Sequence, residues 1–251
     1  MKQGAPRNSL PWFLLGAALF LAVWELAARR AGGALLLPGP FLTLKKCIVL
    51  VPTKRFLLSL WSSFIRVMLG LLISAPLGIA AGIAAGLNRR IRAMLSPLFS
   101  VIAATPVMSV ILIAFLWFGQ ERTPVFTAFL MVFPVMAANT IEGIKAADPG
   151  LGELFRVYRI PAGETLRSFY LPSIVPFILG GLRSGLSLCW KVVVAAEVLV
   201  QPFRALGTGM QNAKAQLETA ELFAWTAGTV CAAAVSQFAL TLVLARLKRR
   251  R

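Results

Sequence analysis

Four charged residues lie inside long apolar stretches of this chain: Arg66, Arg183, Lys191 and Glu197. At the centre of a bilayer such a charge costs at least ~3 kcal/mol on insertion scales, so it faces protein or water rather than lipid. Arg183 and Lys191 are eight residues apart, near one helical face, which suits a cationic lining for an anionic solute. Glu197 is six residues beyond Lys191 and does not stack well with it on one helix. The plainer reading of all four is internal bracing by buried ion pairs, or snorkelling near span ends. Acid–base chemistry has no support: the sequence contains no histidine and no cluster of carboxylates. The three cysteines, Cys47, Cys189 and Cys231, are widely spaced and form neither a disulfide framework nor a metal site. No catalytic residue and no metal ligand is therefore assigned.

A second set of functional candidates sits in one polar stretch, Asp148 to Pro172, between apolar ones. Asp148-Pro149-Gly150 is a helix start, because Asp caps and Pro fits the first turn. Leu151, Leu154, Phe155 and Tyr158 then recur at helical spacing, and Ile160-Pro161-Ala162-Gly163 breaks the helix. Thr165 to Tyr170 form a second short segment before Leu171-Pro172 open the next apolar run. Glu153, Arg156, Arg159, Glu164 and Arg167 supply the charge. Such an elbow, joined directly to a span, is a surface on which a soluble partner can push. A solvated loop lying on the membrane is the plainer alternative.

The elements that position these residues are membrane spans. The chain has 251 residues, 58% hydrophobic and 14% charged, against about 25% charged in soluble domains. With roughly 20 apolar residues per crossing, six spans are expected near 11–28, 56–87, 95–118, 123–144, 173–200 and 222–245. We read residues 1–251 as one all-α transmembrane domain, with a polar loop at about 145–172. The first apolar run is longer than a secretory h-region of about 7–15 residues, and Arg29-Arg30 replaces a cleavage site, so it is read as a retained span. Pro38-Gly39-Pro40 followed by Phe41 to Leu50 suggests a short interfacial helix. Ser74, Gly78, Gly82 and Gly86, and again Gly181 and Gly185, form small-residue stripes for close helix packing, within the chain or between copies.

Net charge is +17. The basic residues flank apolar runs and carry no RNA-binding signature, so a bilayer with anionic lipid explains them better than nucleic acid. Lys and Arg favour cytoplasmic termini, with Lys2, Arg7, Arg89, Arg90, Arg92 and the basic C-terminus on that side. Arg29, Arg30, Lys45, Lys46, Lys54 and Arg55 fall on the other side and weaken the bias.

The chain resembles the permease subunit of ATP-binding-cassette importers, in the branch handling sulfonates, taurine, nitrate and related solutes. SFIRVMLGLLISAPLGIAAGIAAGLNRRIRAMLSPL, LWFG at Leu116–Gly119, NTIEGIKAADP at Asn139–Pro149 and LPSIVPFILGGLRSGLSLCWKVVVAAEVL at Leu171–Leu199 carry the likeness. The resemblance implies the type I importer permease fold with six transmembrane helices. It also implies a homodimer lining the pathway in a bacterial inner membrane. A separate ATP-binding subunit would dock on the cytoplasmic loop, and an external substrate-binding protein would deliver solute. This chain would bind no cofactor itself, since ATP belongs to the partner and no phosphate-loop motif occurs here. The family loop reads Glu-Ala-Ala, three residues, Gly, then a segment ending Ile-x-Leu-Pro. Glu153 holds the Glu position and Leu171-Pro172 the closing pair. Leu154 and Phe155 replace the alanines, Phe169 the isoleucine and Arg159 the glycine. Gly163, four residues on, offers another position for the turn. The departure leaves a divergent partner or a decayed copy open. An ion-gradient-driven secondary transporter, with Glu197 as its one deep acid, and a non-transporting membrane scaffold are the alternatives on sequence alone.

Overall fold

Thr53 starts the helix that organises the molecule. Its Oγ1 accepts the backbone N–H of Phe56 at 3.2 Å, a conventional N-cap. In this computed structural model, which describes residues 9–30 and 36–249, the chain before it forms α1 (Ser9–Arg30) and a short α2 (Pro40–Leu50), where the interfacial helix was expected. Lys2 and Arg7 lie outside the described residues. Helix α3 (Lys54–Leu87) ends at Asn88, whose extended backbone stops the helix and whose side chain caps the next one by accepting from Arg90 N at 2.9 Å. Arg92 folds back, its Nε and Nη2 donating to the carbonyls of Ala85 (3.0 Å) and Gly86 (3.1 Å), which the helix end leaves unpaired.

The chain continues as α4 (Arg89–Ala104), α5 (Val107–Lys145), α6 (Pro149–Val157), α7 (Ala162–Thr165), a π-helical turn at Leu166–Tyr170, α8 (Leu171–Val200), α9 (Leu206–Ala215) and α10 (Thr219–Arg249). Five helices among the described residues are long and apolar enough to cross a membrane: Pro11–Arg30, Lys54–Leu87, Val107–Lys145, Ala162–Val200 and Thr219–Arg246.

The third of these is not one rod. Gly119 has φ 68° and ψ −175°, a left-handed combination that only glycine adopts freely. The rings of Phe118 and Phe126 lie 4.6 Å apart across it, although eight residues of continuous helix span about 12 Å. Packing confirms the reversal. Gly70, Gly78, Gly82 and Gly86 of α3 face Ala128, Met136, Thr140 and Ile144 of α5 in ascending order, so these two stretches run parallel. Residues 89–118 must return the chain to the starting end of the bundle between them. The stretch expected as a span near 95–118 thus returns along the bundle but is split at Thr105-Pro106 into α4 and the first arm of α5, and α4 is not among the helices long and apolar enough to cross. Phe99 of α4 accordingly meets Phe133 of the second arm at 5.8 Å.

The glycine stripes serve packing within the chain. A Cβ on Gly78 or Gly82 would lie 2.5 Å from the Cβ of Met136 or Thr140. Gly181 and Gly185 of α8 press in the same way on Asn139 and Val132. Helix α8 runs antiparallel to these partners, and α10 closes the bundle through Trp190 Nε1 donating to Ser236 Oγ at 2.8 Å. The core is built from α3, the second arm of α5, α8 and α10, including Val67, Leu71, Met136, Leu186, Val193 and Trp225.

Candidate functional site

One end of the bundle carries the elbow. Asp148 Oδ1 accepts Gly150 N at 2.8 Å and Pro149 occupies the first turn, so α6 begins as the sequence leads one to expect. Phe155 packs on Phe169 of the π turn with ring centroids 5.4 Å apart, and Gly152 leaves room for that ring. Phe169 is buried, whereas Leu151, Leu154, Val157 and Tyr158 are exposed beside exposed Glu153 and Arg156. Between α6, α7 and the ends of α3 and α5 lies a cleft of about 740 Å³ lined by Leu87, Ile144, Glu153, Phe155 and Arg156 among others. Beyond α6 the helix resumes at Ala162 and continues through the π turn to Val200. The second arm of the elbow and the span are therefore one helical run. Glu164, Arg167, Leu171 and Pro172 lie on its exposed side.

Along that run, Gly180, Arg183, Ser184 and Lys191 are exposed, with Ser187 half-buried on the same side of α8. Gly181, Gly185, Cys189, Val193 and Ala196 occupy the opposite, buried side. Two cations and two hydroxyls thus form an exposed to half-buried polar stripe on a membrane-length helix, touched at its edge by Gln237 Nε2 donating to Arg183 O at 2.8 Å.

Glu197 faces the other way. It is fully buried, near the end remote from the elbow. Arg66 Nη1 donates to Glu197 Oε1 at 2.9 Å, and Ser63 Oγ stands 2.8 Å from both carboxylate oxygens. Gly207 N donates to Glu197 Oε2 at 3.2 Å, and Leu206 N to Ser63 Oγ at 3.0 Å. The other arm of the guanidinium, Nη2, reaches Glu121 Oε2 at 2.6 Å, and Glu121 Oε1 accepts Phe203 N at 2.9 Å. Arg66 Nη1 also donates to Arg204 O at 3.3 Å. A buried charge survives only when paired and hydrogen-bonded, and no buried side-chain N or O lacks a partner among the described residues.

Residues 74–251 match the family described as "Binding-protein-dependent transport system inner membrane component". The chain belongs to this family. The permease is 30% identical over 240 residues to the taurine transport system permease protein TauC of Escherichia coli (strain K12), covering 93% of this chain and 86% of that one. It is also 30% identical over 207 residues to the bicarbonate transport system permease protein CmpB of Synechococcus elongatus, covering 77% and 73%. With the putative aliphatic sulfonates transport permease protein SsuC of Bacillus subtilis it shares 29% over 225 residues, covering 89% and 81%. In fold it matches a chain from a crystal structure of an amino acid ABC transporter with histidines, at TM-score 0.63 and 20% identity, over 79% of this chain and 95% of that chain. It is a multi-pass inner-membrane permease subunit of an ABC importer and not an enzyme.

The permease brings two of the four charges expected in its spans, Arg66 and Glu197, into one bonded cluster, and keeps Arg183 and Lys191 apart from it. Glu197 is thus no part of a lining shared with Lys191, because the two project from opposite sides of α8. Sequence reasoning missed Ser63 and Glu121. Ser63 lies three residues before Arg66 on one helical face, which is a usable signal. Glu121 follows the Gly119 turn, between the spans expected near 95–118 and 123–144, and no pattern in the sequence singles it out.

The elbow turn also differs from expectation. Gly163 is an ordinary helical residue in α7, where a Cβ would meet nothing within 4 Å, and it does not take over the turn. Arg159 itself stands in the left-handed region, φ 47°. Its N–H donates to Arg156 O at 3.1 Å, and Ile160 N donates to Phe155 O at 3.0 Å, tying the turn to the end of α6. A left-handed non-glycine residue costs roughly 1–2 kcal/mol, part of which a glycine loses again through unfolded-state entropy. Arg159→Gly is expected to stabilise the permease by about 1 kcal/mol, raising Tm by about 2–4 °C. Thermal unfolding followed by tryptophan fluorescence checks this, and an unchanged or lower Tm would show that the arginine side chain repays its backbone strain.

Proposed function

We propose that the permease works as a homodimer whose two α8 stripes face one another across the pathway. The elbow end and both termini lie in the cytoplasm, where Arg89, Arg90, Arg92, Lys145 and Arg156 gather. A separate ATPase docks on residues 145–172 and supplies all ATP chemistry, while an external binding protein delivers solute at the opposite end. The solute class is a small anion or zwitterion of the sulfonate, nitrate or bicarbonate kind, in line with the named substrates of the relatives, which include a nitrate import permease 27% identical over 193 residues, and with the charge of Arg183 and Lys191.

The observation that carries this reading is the unbroken helical run from Ala162 to Val200. A push on the elbow moves α8 as a rigid lever, and with it the stripe, so closure of the ATPase dimer switches access by rigid-body motion. The exposed Leu151, Leu154, Val157 and Tyr158 supply apolar contact for such a partner, ringed by Glu153, Arg156 and Arg167. Glu197, on which an ion-driven carrier would depend, is engaged by Arg66, Ser63 and Gly207.

Mild-detergent purification of the tagged permease from its own cells tests the docking. An ATPase is expected to co-purify with the native chain and to be lost from Glu153→Arg/Leu154→Asp, with the amount of permease in the membrane unchanged. Undiminished ATPase recovery from that variant would overturn the assignment of the elbow.

A further inference from the structure

The end of the bundle remote from the elbow holds a cleft of about 620 Å³, separate from the α8 stripe. Lys54, Arg55 and Arg204 line it, together with the amides of Gln120, Gln201 and Asn212. No Asp or Glu lines it. None of the three cations belongs to an ion pair among the described residues. Glu121, next in sequence to Gln120, is committed to Arg66 and Phe203 N.

The cations are held in place. The Arg55 guanidinium lies 5.6 Å over the ring of Trp225, which is fully buried. Gly209 of α9 presses on that ring so closely that a Cβ there would come within 2.6 Å. The Arg204 guanidinium lies 5.1 Å over the Phe203 ring. Residues 201–205 form a strained loop, with Gln201 at φ 49° and Arg204 at φ 58°. Left-handed non-glycine residues persist only where the surroundings over-determine them. Here the Arg66–Glu197 cluster and exposed Glu121 do so: Glu121 holds Phe203 N, Arg66 holds Arg204 O, Ser63 holds Leu206 N and Glu197 holds Gly207 N. Gly207 permits this, since a Cβ would lie 2.5 Å from Val198 N. The Arg66–Glu197 cluster is thus the mounting that aims Arg204 into the cleft. Thr208 Oγ1 donates to Pro202 O at 2.8 Å and tightens the same loop.

We propose that this cleft is a receiving site for a small oxyanion group, sulfonate, nitrate or carboxylate, at the outer mouth of the permease. Two guanidiniums present fork-shaped donors that match planar or trigonal oxygens, and Lys54 adds a point charge. The partial exposure of all three keeps binding weak, on the order of millimolar, which suits a site that must pass its ligand on. The proposal deepens the importer reading and rests on it for the direction of solute flow.

The test is a titration of the purified permease in nanodiscs of zwitterionic lipid with sodium nitrate and with sodium methanesulfonate, at constant ionic strength in chloride. Trp225 beneath Arg55 supplies a fluorescence signal, with calorimetry as the second readout. Saturable binding is expected, weakened at least about tenfold by Arg204→Gln and by Arg55→Gln, and unchanged by Arg122→Gln, a nearby exposed cation outside the cleft. If Arg204→Gln proves poorly folded, Lys54→Gln/Arg55→Gln carries the same expectation, because both side chains project from the first turn of α3. Absence of saturation, or equal affinity in the native chain and the cleft variants, overturns the site. So does binding of the carboxylates of an acidic binding-protein surface where neither free anion binds. No ATPase takes part, so this result and loss of the docking described above are independent.

Discussion

Arg66→Met is expected to destabilise the permease by about 3–5 kcal/mol, the range for breaking a buried ion pair by removing one partner. The substitution roughly keeps the volume of the stem and removes the guanidinium. Glu197, with no exposure at all, would retain only Ser63 and Gly207 N as donors. Glu121 and the Arg204 carbonyl would each lose a partner as well. Arg66→Lys should recover little, because an ammonium cannot bridge two carboxylates and a carbonyl as the planar fork does. Arg66→Met/Glu197→Gln should recover about 2 kcal/mol or more, since the amide oxygen still accepts from Ser63 and Gly207 without an orphaned charge. Thermal unfolding of the detergent-purified proteins, read from buried Trp190 and Trp225, measures all three. Equal Tm for the native chain and Arg66→Met would mean that water reaches the cluster and screens it.

The loop that this cluster holds shows where the sequence stops being readable. The all-helical, membrane-spanning fold was legible because span length follows from bilayer thickness and long apolar runs declare themselves, although five described helices, against six expected spans, are long and apolar enough to cross. The break at Thr105-Pro106 is marked in the sequence only by its proline, a residue that kinks helices within spans, since the apolar run continues across it. The reversal at Gly119 was hidden for a different reason: one glycine between two apolar helices reads equally as a bend or a turn, and only the parallel register of α3 against the second arm of α5 decides. Arg159 and Arg204 both adopt left-handed backbone against the preference of their residue type. Such conformations are imposed by the partners of neighbouring N–H and C=O groups, which lie in other elements. Arg66 and Glu197 could be named from sequence as costly charges. That they meet each other, and not Lys191, depends on which side of α8 packs, and glycines 181 and 185 settle that. Helix α9, rich in polar and small residues, gave no span-like signal, yet it closes the cleft.

Arg183→Gln/Lys191→Gln is expected to lower solute uptake by at least about 100-fold while leaving stability and ATPase recovery unchanged. Both side chains are exposed and belong to no ion pair among the described residues, so their removal creates no cavity and orphans no charge there. For an anion passing about 6 Å away at an effective dielectric of about 20, each cation contributes roughly 3 kcal/mol. Tenfold in rate corresponds to about 1.4 kcal/mol, so the loss of one such interaction already gives about 100-fold, a lower bound for the pair. Arg183→Glu should abolish anion uptake, since it repels where the native residue attracts, whereas Arg183→Lys should keep most of it. Whole-cell uptake of labelled solute, in cells lacking the native permease and complemented by each variant, gives the comparison. The chemistry of α8 makes a second outcome informative. Two cations and two serines on a membrane-length helix must be shielded from lipid by water or by a second copy. If uptake persists in Arg183→Gln/Lys191→Gln but the purified protein changes from dimer to monomer, the stripe braces the interface and the solute path lies elsewhere.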